Sequence, residues 1–69
     1  MIKLKLAELL ARRRLSIVEL SDRTGISVRD LEVLRDQKAL ALRLKTIDCL
    51  CRCLNCQPSD LIEYVEDAD

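Results

Sequence analysis

Four cysteines cluster between positions 49 and 56, as Cys49, Cys51, Cys53 and Cys56, in the pattern C-x-C-x-C-x-x-C. Thiols at this density can do three kinds of chemistry: hold a soft metal or an iron–sulfur cluster, form a redox couple, or pack as small apolar groups. Helical spacing decides among them. At 100° per residue, Cys49 and Cys53 share one face, and Cys56 falls near the same line if the helix continues. Cys51 points the other way, into an apolar stripe. One helix therefore cannot aim all four sulfurs at one ion, and there is no His to complete a site. No metal and no cofactor are expected. Cys51 and Cys56 read as small core residues; Cys49, Cys53 and Cys56 are the thiols to watch for redox activity. An intermolecular disulfide would use Cys49 or Cys53.

The rest of the chain offers no catalytic constellation. It lacks His, a phosphate-cradling glycine loop and a nucleophile paired with a base, and its carboxylates fall at helix caps and in an acidic tail. A non-enzymatic protein is expected. Charge is balanced, with 12 basic and 12 acidic side chains, which runs against the basic excess usual in nucleic-acid binders. The distribution is uneven, however. Lys3, Lys5, Arg12, Arg13 and Arg14 face Glu8 alone at the front, and five acids follow Pro58 with no base. No long apolar run opens the chain, so no signal peptide or membrane span is expected and the protein reads as cytoplasmic, with reduced thiols.

Helices must position whatever chemistry there is. One domain, residues 1–69, has an aliphatic core to build, with one Gly and one Pro to interrupt it. Leu6, Leu9 and Leu10 predict a first helix from about Lys5 to Arg13, with Ala7 small enough for close packing. Ser16 and Glu19 form a capping box and Leu15 and Leu20 a hydrophobic staple, so a second helix starts at Ile17. It ends before Gly25, which takes a left-handed conformation without steric cost. Ser27 caps a third helix from about Val28 to Arg35, with Ile26 and Leu31 as a second staple. Residues 36–44 form a longer connection, in part extended. A fourth helix spans about Leu44 to Leu54 with Ile47, Leu50, Cys51 and Leu54 inward, and Asn55 stops it. Pro58 opens a very short fifth helical turn. Residues 2–5 and Ile62–Val65 read as short terminal strands able to pair.

The stretch 16–35 is thus helix, glycine turn, helix. A DNA-reading version needs a small residue where the helices touch (Ser21), a positive-φ residue at the turn (Gly25) and apolar residues to lock the second helix down (Ile26, Leu31, Leu34). An ordinary helical hairpin satisfies the same spacing.

Several segments carry a resemblance: Lys5-Leu-Ala-Glu-Leu-Leu, Ser16-Ile-Val-Glu-Leu-Ser, Arg23-Thr-Gly-Ile-Ser, Leu44-Lys-Thr-Ile-Asp, and Cys51-Arg-Cys-Leu-Asn-Cys-Gln-Pro-Ser-Asp-Leu-Ile-Glu-Tyr-Val. Along nearly its whole length the chain resembles Xre/Cro-like, phage-repressor-type helix-turn-helix transcriptional regulators. The resemblance implies an all-α, five-helix repressor-like domain and a homodimer on palindromic double-stranded DNA. By the same resemblance Ser27, Val28, Arg29, Glu32 and Val33 face the bases. Arg29 would donate to a guanine, Glu32 accept from a cytosine amino group, and Val28 touch a thymine methyl. Phosphate contacts would come from Arg23, Thr24, Lys38, Arg43, Lys45 and the helix start at Ser16. The sequence also departs from the family pattern. Ile17 stands where Gln is common, Asp36-Gln37 where Asn-Gly is frequent, and Leu40 where a polar or basic residue is usual. The recognition helix is net acidic. Ile17, Val28, Val33 and Leu40 could form an apolar patch, so the alternative is a helix-turn-helix fold turned to protein binding, as an adaptor, an antitoxin or a regulator of another DNA-binding protein.

Overall fold

The computed structural model describes residues 1–66. In chain order the elements are β1 (Ile2–Leu4), α1 (Leu6–Arg13), α2 (Ile17–Thr24), α3 (Val28–Arg35), α4 (Leu44–Leu54), α5 (Pro58–Leu61) and β2 (Ile62–Tyr64). The five-helix architecture with short terminal strands is the one expected.

Every fully buried residue among those described is a leucine. Leu6, Leu9 and Leu10 come from α1, Leu20 from α2, Leu31 and Leu34 from α3, Leu50 and Leu54 from α4, and Leu61 from α5. Each helix is too short to be stable alone in water, and each gives its apolar stripe to the shared centre. Leu4, Leu15, Ile17, Ile26, Ala39, Leu42, Ile47, Cys51, Cys53 and Cys56 pack around that centre while staying partly accessible. Ala7, expected to pack closely, is instead exposed; its position lies outside the arc set by Leu6, Leu9 and Leu10.

The helix ends show how local chemistry sets the fold. α1 stops at Arg14, which adopts the left-handed conformation (φ 53°) and donates its N–H back to Leu10 and Ala11 carbonyls. Nothing in the local sequence marks this, since Arg has no preference for that region. The demand comes from outside: the chain must reverse within two residues to seat Leu15 on the core and present Ser16 as the next N-cap. α4 stops at Asn55 (φ 50°), a residue that tolerates this conformation. At α5, Asp60 accepts a hydrogen bond from the Gln57 amide at 2.9 Å, adding to Pro58 in the first turn.

The chain ends meet as an antiparallel pair in the register Ile2–Tyr64, Lys3–Glu63 and Leu4–Ile62. The Val65 amide donates to the Met1 carbonyl at 2.8 Å and the Lys5 amide to the Leu61 carbonyl at 2.6 Å, extending the ladder. Side chains alternate across a strand, so Ile2, Leu4, Ile62 and Tyr64 share one face while Lys3 and Glu63 share the other.

Residues 36–43, expected to be partly extended, hold no strand. The amides of Asp36, Gln37 and Lys38 return to α3 carbonyls, and the long-range anchor is a side chain. Gln37 lies at φ 63°. Its Oε1 accepts from the Leu4 amide at 2.9 Å and its Nε2 donates to the Leu4 carbonyl. The side-chain amide thereby does at the outer edge of β1 what a third strand's peptide group would do.

Candidate nucleic-acid interface

The α2–α3 unit is built from contacts only a few residues apart. At the start of α2 the Glu19 amide donates to Ser16 Oγ at 3.1 Å and the Ser16 amide to Glu19 Oε1 at 3.2 Å. α2 closes at Gly25 (φ 77°), whose N–H reaches the Ser21 carbonyl. Ser21 Oγ then donates to the Ile26 carbonyl at 2.6 Å, crossing from helix to turn at the point where sequence spacing asked for a small residue. Thr24 Oγ1 donates to the Leu20 carbonyl at 2.8 Å and accepts from the Ile26 amide at 3.1 Å. α3 begins with the Asp30 amide donating to Ser27 Oγ at 3.1 Å. Leu31 and Leu34 are buried, fixing α3 so that its opposite side faces solvent.

That outward side carries most of the residues expected to face bases. Ser27, Arg29, Glu32 and Val33 are exposed, and Val28 is half-buried. Arg29 has no ion pair or hydrogen-bond partner among the described residues, so its guanidinium is available. Arg35, one and a half turns later, is committed: its Nε donates to Asp36 Oδ1 at 2.9 Å, and its Nη2 lies 3.7 Å from Glu32 Oε2. The hydrogen bond from Arg35 holds the Asp36 carboxyl below the usual carboxylate range, and the same bond raises Arg35 further. Two arginines still face Asp30, Glu32 and Asp36 on this helix and its cap, so its charge is net negative.

The residues expected to hold phosphates fall into separate groups. Lys38 and Arg43 lie in the connection after α3 and Lys45 in the first turn of α4, all exposed. Arg23 stands elsewhere. With Arg13, Arg14, Glu19, Cys53 and Asn55 it lines an open, mainly polar hollow of about 440 Å³. Arg13 is partly committed there, donating from Nε to the Leu54 carbonyl at 3.1 Å, where a cation favours the C-terminus of α4. In the sequence Arg13 and Arg14 stand out only as part of a basic front. The Thr24 hydroxyl hydrogen is given to Leu20, so a phosphate contact from this side chain requires that bond to break. Ser16 is exposed and its hydroxyl retains a hydrogen, but the Glu19 carboxylate stands beside it.

The apolar residues considered as a protein-binding patch are also dispersed in character. Ile17 packs against the core and Val28 is half-buried, whereas Val33 is exposed. Leu40 is fully exposed and lines a groove against the terminal strands.

The cysteines sort into two pairs. Cys49 and Cys53 point at the last carbonyls of α2, with their Sγ atoms each 3.7 Å from the oxygens of Thr24 and Arg23 respectively. Cys56 does not continue their line, because the left-handed Asn55 ends the helix first. Its amide returns to the Cys51 carbonyl at 3.0 Å, and its thiol sits by Cys51. Burial, followed by the neighbouring Cys51, pushes the Cys56 thiol up to about 11. Burial also raises Cys49, with Cys53 adding to it. All four are free thiols. Among the described residues no group of three or more His, Cys, Asp or Glu side chains converges on a metal position, and no helix is long and apolar enough to cross a membrane.

Comparison with known proteins agrees with this geometry. A family model described as the Cro/C1-type HTH DNA-binding domain matches residues 5–67. The chain is also 46% identical over 61 residues to a Bacillus subtilis (strain 168) protein described as the uncharacterized HTH-type transcriptional regulator YozG, covering 88% of this chain and 73% of that protein. The matched span takes in all five helices, the glycine turn and the exposed face of α3: the chain belongs to the Cro/C1-type helix-turn-helix DNA-binding domain family.

Proposed function

We propose that this protein is a sequence-specific transcriptional regulator that binds double-stranded DNA as a homodimer, with α3 in the major groove. The observation that carries the reading is the division of α3: Leu31 and Leu34 anchor one side in the core, while Arg29, Glu32 and Val33 are exposed on the other, Arg29 without a partner and Glu32 paired with Arg35. Arg29 is the principal base reader. A planar guanidinium with no internal partner can donate two parallel hydrogen bonds to guanine, worth roughly 1–3 kcal/mol of discrimination. Glu32 takes a cytosine amino group, Ser27 lies at the groove wall, and Val28 and Val33 supply apolar contact to thymine methyls. Lys38, Arg43 and Lys45 bind phosphates on the α3 side, and Arg23 and Ser16 on the α2 side.

Selection of bound sequences from random DNA at stated salt, followed by mobility shift, tests the proposal. A defined motif is expected. Arg29→Ala should relax preference at one base pair and weaken the best site roughly 5- to 150-fold, the range of one bidentate contact. Unchanged preference removes Arg29 from the reading, and no selected motif at low salt removes the reading altogether.

The acidity of α3 favours a second reading, a protein-interaction module on the same fold. Carboxylates beside phosphates oppose the counterion-driven part of binding. Under this reading DNA binding is absent at moderate salt, and Val33→Lys abolishes association with a protein partner.

A further inference from the structure

Most of the large apolar side chains exposed among the described residues belong to the two chain ends and the segment 40–44, with Val18 and Val33 apart from them on α2 and α3. Leu40 is 103% exposed, Leu44 83%, Tyr64 70% and Ile2 64%. Ile2 and Leu40 line a groove of about 370 Å³ together with Leu4, Leu42, Ile47 and Ile62. Tyr64 continues it, since it is opposite Ile2 on the same sheet face as Leu4 and Ile62. In a chain that is 35% charged, such a concentration is unusual and marks a contact surface.

We infer that a second copy of this chain covers this face, with Leu40 of each copy seated in the groove of the other. This rests on the homodimer reading above and gives that dimer its surface. Two features favour a second copy over an unrelated partner. The first is self-complementarity: the projecting side chain and the groove belong to one patch, as a two-fold contact requires, because the same residues must be both donor and receiver. The second is area. Covering Leu40, Leu44, Tyr64 and Ile2 removes several hundred Å² per copy, the scale of the about 800 Å² per partner in a standard stable interface. The outer edge of β1 is not the route. The Leu4 peptide groups on the outer side of β1 are already taken by Gln37, and it is the apolar face that is left exposed.

Sedimentation equilibrium of the full chain tests this. The wild type should behave as a dimer and Leu40→Glu as a monomer, while Leu40→Met stays dimeric. Because the Leu40 side chain is wholly exposed, the thermal unfolding of Leu40→Glu extrapolated to low protein concentration should match the wild type, excluding a folding defect. On DNA, Leu40→Glu should bind a single half-site as the wild type does and lose roughly 100-fold or more on a two-half-site operator, the order of advantage that linking two sites confers. A wild-type monomer at the highest soluble concentration, or a Leu40→Glu dimer, overturns the inference even where half-site binding persists. A Leu40-dependent dimer that selects no DNA leaves the inference standing and overturns the regulator reading instead.

Discussion

The two connections that flank α3 solve the same problem by opposite means. Before α3, residues 25–27 are held by partners within five positions: Gly25 by Ser21, Ile26 by Ser21 and Thr24, and Ser27 by Asp30. After α3, residues 36–43 turn at Gln37, whose side chain reaches 33 positions back to Leu4. The first connection uses a glycine to enter the left-handed region without cost. The second places a non-glycine there, and the amide that glycine would lack is what joins the loop to β1. The difference teaches that the family's usual glycine position is open to a trade: backbone ease against a long-range tie between α3 and the sheet. The turn can form as soon as α2 and α3 do, whereas the loop, whose first three amides return to α3, gains its long-range tie only when Leu4 is in place.

That contrast can be broken on either side. Gln37→Ala keeps the unfavourable φ and removes both bonds to Leu4, so a loss of about 1–2 kcal/mol is expected from two exposed hydrogen bonds. Gln37→Gly removes the same bonds and relieves the backbone, so it should lose about 1 kcal/mol less than the alanine variant. Urea unfolding of the pair measures the difference; equal losses would mean that no strain resides at this position. Hydrogen exchange should accelerate at the Leu4 amide in both.

Gly25→Ala should cost about 1 kcal/mol. A Cβ at this position meets nothing within 4 Å, so the cost is the left-handed backbone alone. A much larger loss in chemical denaturation would show that α2 and α3 press on the turn more tightly than the contacts indicate.

The smallest effect belongs to a site outside both connections. The folded state raises the Cys56 thiol from an ordinary value of 9.0 to about 11. The folded protein therefore holds this proton more tightly than the unfolded chain. Its contribution is fully present below pH 9 and is lost as pH rises through about 11. Melting temperature should decline over that window, and Cys56→Ala should flatten the decline. An identical slope in both proteins would place the loss at other groups.

Local signals made much of the fold legible. The Ser16–Glu19 box, the Ser27 cap, Gly25, Asn55 and Pro58 each act within one helical turn, so the helix order and the outward face of α3 follow from residue types. The cysteine pairing was half legible. Periodicity placed Cys49 with Cys53, but Cys56 changed sides because the helix ended before reaching it. Dispersal of Arg13, Arg14 and Arg23 into one hollow, away from Lys38, Arg43 and Lys45, had no local signal at all.

Sequence by itself determined where α2 and α3 begin, where α2 and α4 end and which side of each helix is apolar, because caps, staples and periodicity are satisfied by neighbours along the chain. Only the tertiary structure decided the left-handed Arg14, the strand-like role of Gln37, the commitment of Arg13 to the end of α4 and the gathering of Leu40 with Ile2 and Tyr64 around one groove. Each of these joins residues far apart in the chain, and no local preference encodes a partner that arrives only when five short helices close on a common leucine centre.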